Sequence, residues 1–534
     1  MAYTKPGIEI TQEQRSQTPV FITPELNAVV VGKGYHWQNP MLDESLLDSA
    51  VGVYDGTELT FHLSGINATY HNVSGEESLV VIDLVQSADT IYHLEYGTDF
   101  TVTDNQVTIG GWLSEWTGSD AHVRVGYRAD KPESEGFKQM ASISDIKTLI
   151  GEPVSWNPLA YGAMIAQQQF SRAVYTYGLD TESIFEHTEA LSELEMQEVY
   201  AIAHMSHADG IVAVAIAHAN DMSLAANKKE RIVVCNRTIP AWTGTPHAES
   251  SADKLTTAEG IRDYGATYQE KRLFLTFPDW GYVEEKRHIN TIKKSWVKES
   301  FNSTLGSTFT TNSDDSYYYC KFAMDMKVGT TRYKKGEIID DTKWQALIDE
   351  GYSELTVLSP VPGFYYDAAV VGQVIGKRPE QPLTNVPISG VTRTYGSWDY
   401  FTDSHLNTIA EGGYYIMTQS SATSPIVSRH QMSTNVLSVA KRELSITTAI
   451  DYTAKFIRKV MNPYVGRYII NDKFLSMVDS TLAGIGSVLI VAGALDDYKV
   501  VSVEQNQTNP DSIDVEIDIL PLYPVNYIRI TLVF

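Results

Sequence analysis

The sequence predicts a multidomain protein of mixed α+β and α/β class: two mixed α/β core domains, an inserted all-β domain, and extended strand arms at the N- and C-termini. Three observations predict it. Helical and strand patterns alternate through much of the chain, as they do in layered α/β domains. Residues 51–132 lose the helical period and show only short alternating pieces broken by turn residues. Both ends read as lone strands fenced by proline, which removes backbone donors and forbids helix. The length agrees, since 534 residues correspond to three or four domains at roughly 150 residues each.

The N-terminal arm spans 1–25. It holds a short alternating piece with Ile8 and Ile10 on one face, a polar spacer from Gln12 to Thr18, and a second apolar piece carrying Val20 and Ile22. No apolar run follows a basic start, so no secretory leader is expected. Leu26 to Gly32 reads as a buried strand and opens an α/β middle domain of residues 26–50 plus 133–313. The inserted β domain, 51–132, is punctuated by Asp55-Gly56, Asp104-Asn105 and Gly110-Gly111.

From Ser142, a capping-box start, the order of expected elements is helix at 159–173, strand at 174–177, helix at 188–204, strands at 211–216 and 231–235, helix at 256–271 and strand at 273–278. A small α+β insertion, 314–360, carries a hairpin at Lys334-Lys335-Gly336 and a helix at 342–350. Residues 361–400 return to the core. A C-terminal core domain, 401–512, contains a helix whose apolar stripe is Ile446, Ile450, Thr453, Ile457 and Met461, and a second helix from Phe474 to Val491 closed by Gly493.

The C-terminal arm, 513–534, alternates strictly: Ile513, Val515, Ile517 and Ile519, then Ile528, Ile530, Leu532 and Phe534. Such segments demand a strand partner, in their own subunit or in a neighbour.

Composition narrows the function. There are 41 basic and 66 acidic residues, a net charge of −25. That excess disfavours direct binding to nucleic acid or an anionic membrane. No apolar run approaches the ~18 residues of a membrane helix, so membrane insertion is not expected. Cys235 and Cys320 lie far apart and read as buried small hydrophobes.

Chemistry is sparse. His204, His207 and His218 with Asp209 lack the general base of a His-Glu-x-x-His zinc site, and packed histidines are their ordinary identity. Gly32-Lys33-Gly34 completes no nucleotide fingerprint. No catalytic residue, metal or cofactor is expected, and the protein is not expected to be an enzyme. Against the acidic background, Lys455, Arg458 and Lys459 share one helix face. That face is either simply solvated or a docking site for an acidic partner.

In its order of motifs the chain resembles the contractile tail sheath proteins of bacteriophages and contractile injection systems. The residues that carry the resemblance are Lys5-Pro6-Gly7-Ile8-Glu9-Ile10, Asn27 to Gly32, Ala368 to Val374 with Pro382, Asn385 and Gly390, Asn407 to Gly413, the helix Ile446 to Arg467, Gly493-Ala494-Leu495, and Ile517-Asp518-Ile519 with Pro521, Pro524, Tyr527 and Ile528. It covers about the first 35 and the last 170 residues and leaves both insertions unmatched. It implies a homo-oligomer of stacked hexameric rings around a tail tube protein, with baseplate and tail terminator partners, located in the virion tail and assembled in the host cytoplasm. It also implies that both arms add strands to neighbouring subunits, and that Lys455, Arg458 and Lys459 face the tube. The alternatives are a non-contractile baseplate or tail-associated protein of the same fold, and an α/β enzyme with accessory β modules.

Overall fold

A computed structural model describes residues 25–38, 122–207, 210–237, 251–292, 320–394, 401–526 and 528–532, with short strands between 41 and 110. The expectations for Ile8, Ile10, Val20, Ile22, Asp209 and Phe534 lie outside the described residues. The chain divides into two compact units, Leu26–Thr447 and, in its described part, 448–532.

The first unit is built on an eight-stranded sheet. Its strands are β1 (Ala28–Lys33), β2 (Gly136–Met140), β3 (Val174–Leu179), β4 (Ala201–His204), β5 (Ile232–Asn236), β6 (Leu273–Phe277), β7 (Tyr414–Thr418) and β8 (Val427–Ser428). The spatial order is β2-β3-β1-β4-β5-β6-β7-β8. Pairing is parallel from β3 to β7, and only the two outermost strands run antiparallel. β1 is Ala-Val-Val-Val-Gly-Lys and buried throughout, as a central strand covered on both faces must be.

Alternation sends Val29 and Val31 into a core shared with the helices α2 (Ile184–Leu194), α3 (Ile211–Met222), α4 (Ser251–Ala266) and α6 (Asp403–Glu411), through Ala190, Val212, Ala258 and Leu406. Val30 faces the other side, against α1 (Pro158–Phe170), which packs beside α5 (Phe364–Gly376). Small residues set that helix contact. A Cβ on Gly372 would stand 2.2 Å from the Ala166 carbonyl oxygen, so the two backbones touch.

Between 35 and 130 the described strands form two antiparallel sheets, of five and four strands. Residues 320–362 carry a short hairpin, a helix at Asp341–Asp349 and the long strand Glu354–Pro362, which pairs with Trp280–His288.

Four local expectations are corrected. Residues 211–216 are helix, not strand: Val212, Ala215, Ala219 and Met222 bury at helical spacing, and a short apolar run fits either period. The helix expected over 188–204 ends at Leu194, and Ala201–His204 is a strand. Buried Arg231 donates from Nη2 to the carbonyls of Leu194 and Gln197, which closes that helix from across the chain. The hairpin of the small insertion turns at Gly329, with φ +56°, between Met326–Val328 and Thr331–Tyr333, and Lys334–Gly336 is the next turn. Finally, β7 pairs with β6, so residues 401–447 join the first unit and not a domain running from 401 to 512.

Replacing Gly372 by Val should cost about 2–3 kcal/mol, because the helix backbones cannot separate without losing their packing. In contrast, Gly260→Ala, on α4 with open space around it, should gain up to about 1 kcal/mol. Urea unfolding of the two variants checks both signs.

Candidate interaction surface

Of the side chains with reactive chemistry in the sequence, His204, His207, Cys235 and Cys320 lie buried and His218 half-buried. His204 and His187 are buried with their Nδ1 atoms 3.0 Å apart, so the two rings bond only as opposite tautomers. His207 is buried edge-on to Phe364. His218 is bonded through Nε2 to Arg231 at 2.6 Å. Among the described residues no group of three or more His, Cys, Asp or Glu is placed to hold a metal ion. Both thiols are buried and free; burial pushes the Cys320 thiol up to about 11 and Cys235 well above its ordinary value, which leaves them unreactive.

Burial also holds His187 and His218 down at about 4 and His207 at about 3. These folded values lie below the unfolded value near 6.5, so the neutral rings stabilise the unit fully above pH 6.5. That contribution is lost as pH falls toward 4. Unfolding free energies from urea titrations at pH 7.5, 6 and 5 should decline by at least about 1.4 kcal/mol per pH unit below 6.5.

The second unit carries a different kind of feature. Helix α7, Leu444–Met461, buries Ala449, Thr453, Phe456 and Val460. Of the expected stripe, Ile446 and Thr453 are buried, and Ile450, Ile457 and Met461 are half-buried, Ile457 and Met461 packing against the same core; Phe456 and Val460 extend the inward face beside them. Lys455 and Arg458 are half-buried and Lys459 is exposed. All three already take part in interactions within the chain.

Asn471 caps helix α8, Asp472–Val491, by accepting from the Phe474 amide at 2.9 Å. Gly493 ends it at φ +76°, the left-handed cap expected from the sequence. By length and composition α8 alone among the described helices could cross a membrane. Its apolar face, Val478, Leu482, Ile485 and Leu489, instead shares a core with Phe456, Val460 and Tyr498. Tyr498 lies flat on Gly486, where a Cβ would meet ring carbon Cδ1 at 2.1 Å. Burial pushes this phenol up to about 12.

Tyr498 belongs to β9, Leu495–Gln505, which pairs antiparallel with β10, Ile513–Pro521. The hairpin's inner face carries Tyr498, Val500, Val503, Ile517 and Ile519. The segment 513–519, expected to be part of an arm, is thus the second strand of this hairpin. Among the described residues neither outer edge of the two-stranded sheet has a strand partner.

Beyond Pro521 the described residues form no helix and no paired strand. Val525, Ile528, Ile530 and Leu532 are 77–85% exposed. Two unpaired sheet edges and an unpaired alternating apolar segment therefore occur in one unit. The arm's alternation is plain in the sequence; the hairpin's open edges are not, because edge status depends on topology.

No family model matches the chain, and no curated protein matches it. Solved structures do. The helical sheath of the anti-feeding prophage in its contracted state is 14% identical, with a TM-score of 0.47 over 76% of this chain and 89% of that one. The PVC sheath complex of an extracellular contractile injection system, also contracted, is 10% identical, with a TM-score of 0.46 over 74% and 86%. The sheath tail protein of Desulfitobacterium hafniense is 9% identical, with a TM-score of 0.41 over 97% and 100%.

The first two are described as sheaths in the contracted state and the third as a sheath tail protein. At these identities and TM-scores no residue role or function is transferred from them.

Replacing Gly486 by Leu should displace the Tyr498 ring and cost about 1–3 kcal/mol, read as a fall in the thermal midpoint of the unit containing the hairpin.

Proposed function

We propose that this chain is the structural subunit of a contractile tail sheath. It stacks as hexameric rings around a tail tube and contracts to drive the tube through a host envelope. Baseplate and terminator proteins bound the stack at its two ends, and the assembly sits in the tail of a phage-like particle. The observation that carries the reading is the exposed apolar segment from Val525 to Leu532 beside a two-stranded sheet with open edges. A monomer that leaves both unpaired is incomplete, whereas a polymer pairs them.

In this reading the arms at both ends, including Ile8, Ile10, Val20, Ile22 and Phe534, lend strands to neighbouring subunits. Each main-chain hydrogen bond so made contributes roughly 1 kcal/mol net, and alternate side chains fill pockets. The segment 522–532 spans about 36 Å at strand rise, long enough to cross between subunits. The β sheets of residues 35–130 form an outer module that varies without disturbing the mesh. Contraction draws on new contacts between subunits, with no bound nucleotide, and the role is structural, not catalytic. Lys455, Arg458 and Lys459 grip an acidic tube surface before contraction and release it afterwards.

By negative-stain microscopy the intact protein should form hollow cylinders, and deleting the residues after Pro524 should abolish them with the circular dichroism spectrum little changed. Cylinders persisting in the truncated chain would overturn the proposal. Reversing the charge at Lys455, Arg458 and Lys459 together should leave the fold intact and prevent assembly on tubes; unimpaired assembly would remove that face from the mechanism.

A further inference from the structure

The open hairpin has two edges, and the charges on its outer face distinguish them. Along β10 the side chains pointing away from the helices are Asp514, Glu516 and Asp518, all exposed. Their cross-strand neighbours on β9 are Glu504, Ser502 and Lys499. The β10 row is thus uniformly acidic, while the β9 row, Asp497, Lys499, Ser502 and Glu504, is mixed, with Lys499 set between its two acids. Asn506 donates to Asp514 Oδ2 at 2.7 Å and so engages one acid of the row.

The arm carries a matching asymmetry. Ile528, Ile530 and Leu532 fall on one face of an extended strand, which places Arg529 on the other. When the apolar face joins the inner side of the hairpin, Arg529 necessarily lies on the outer side. On the β10 edge it meets the acidic row; on the β9 edge it meets a row whose acids are interrupted by Lys499 and Ser502. The three acids recur every second residue over about 13 Å, so a two-residue slip in register still leaves Arg529 an acidic neighbour. A one-residue slip would expose the apolar face instead.

We infer that Arg529 directs the C-terminal arm of a second copy of this chain onto the β10 edge, where it faces Asp514, Glu516 and Asp518. This rests on the strand-exchange reading above and adds which edge is used and which residue selects it. Arg529 acts as a specificity determinant, and the backbone ladder supplies most of the affinity.

The test uses the full chain and measures the protein concentration needed for cylinders, by sedimentation and negative stain. Arg529→Glu replaces attraction by repulsion and should raise that concentration roughly three- to tenfold, as should Glu516→Lys. The double variant should return toward the native value. An equimolar mixture of the two single variants should also assemble near the native value, because each arm then finds an opposite charge on another copy. Native-like assembly of Arg529→Glu, or a double variant worse than either single one, overturns the assignment of Arg529. If removal of the residues after Pro524 blocks assembly while Arg529→Glu does not, only the edge choice falls. If the truncated chain still forms cylinders, the strand-exchange reading falls with it.

Discussion

A two-stranded sheet must find further partners for its backbone, and that requirement organises this molecule. An isolated hairpin is marginal in water, and each open edge presents a row of N–H and C=O groups that can template pairing with another chain. Here β9 and β10 lean on α7 and α8 through Tyr498, Ile517 and Ile519, which covers one face and leaves both edges bare of strands among the described residues. The segment after Pro521 has the complementary deficit: apolar side chains at every second position and no sheet to join. Proteins normally blunt such edges with charge, and the outer row of Asp514, Glu516 and Asp518 does so here. It repels an identical row while attracting the arm's Arg529.

The two units differ in how they are completed. The Leu26–Thr447 unit closes its own sheet: six strands run parallel, antiparallel strands finish each edge, and helices cover both faces. Its chemistry is buried with it. The Thr276 hydroxyl donates to Asp367, whose carboxyl is held well above its ordinary range by burial, and Arg287 pairs with Glu285 at 2.6 Å. The satisfied pair of Arg287 and Glu285 specifies packing, whereas Asp367 Oδ2 has no hydrogen-bond partner.

Sequence reasoning succeeded where a segment's own period decides its structure. The run 28–33, the helix 158–170, the long helix ending at Gly493 and the strict alternation of 513–519 were legible, because sidedness or a terminal glycine marks each. It failed where distant partners decide. Ile211 to Ile216 carries no strand–helix distinction until Gly210 and the flanking alanines are placed against a sheet. Residues 201–204 become a strand only because β1 and β5 flank them. The stripe of Ile446, Thr453, Ile457 and Met461 is legible, but Phe456 and Val460 beside it are not, since a helix's inward face is fixed by what covers it. The unpaired edges of β9 and β10 are a matter of topology, which no local pattern reports.

Helix α8 brings a separate difficulty, one of synthesis. Its apolar side is covered by a hairpin that ends about thirty residues further along the chain, and ribosomes add only about 5–20 residues per second. Until then Val478, Leu482, Ile485 and Leu489 have only Phe456 and Val460 of α7 to cover them, and for some seconds a nascent chain offers the rest of that stripe to chaperones and lipid alike.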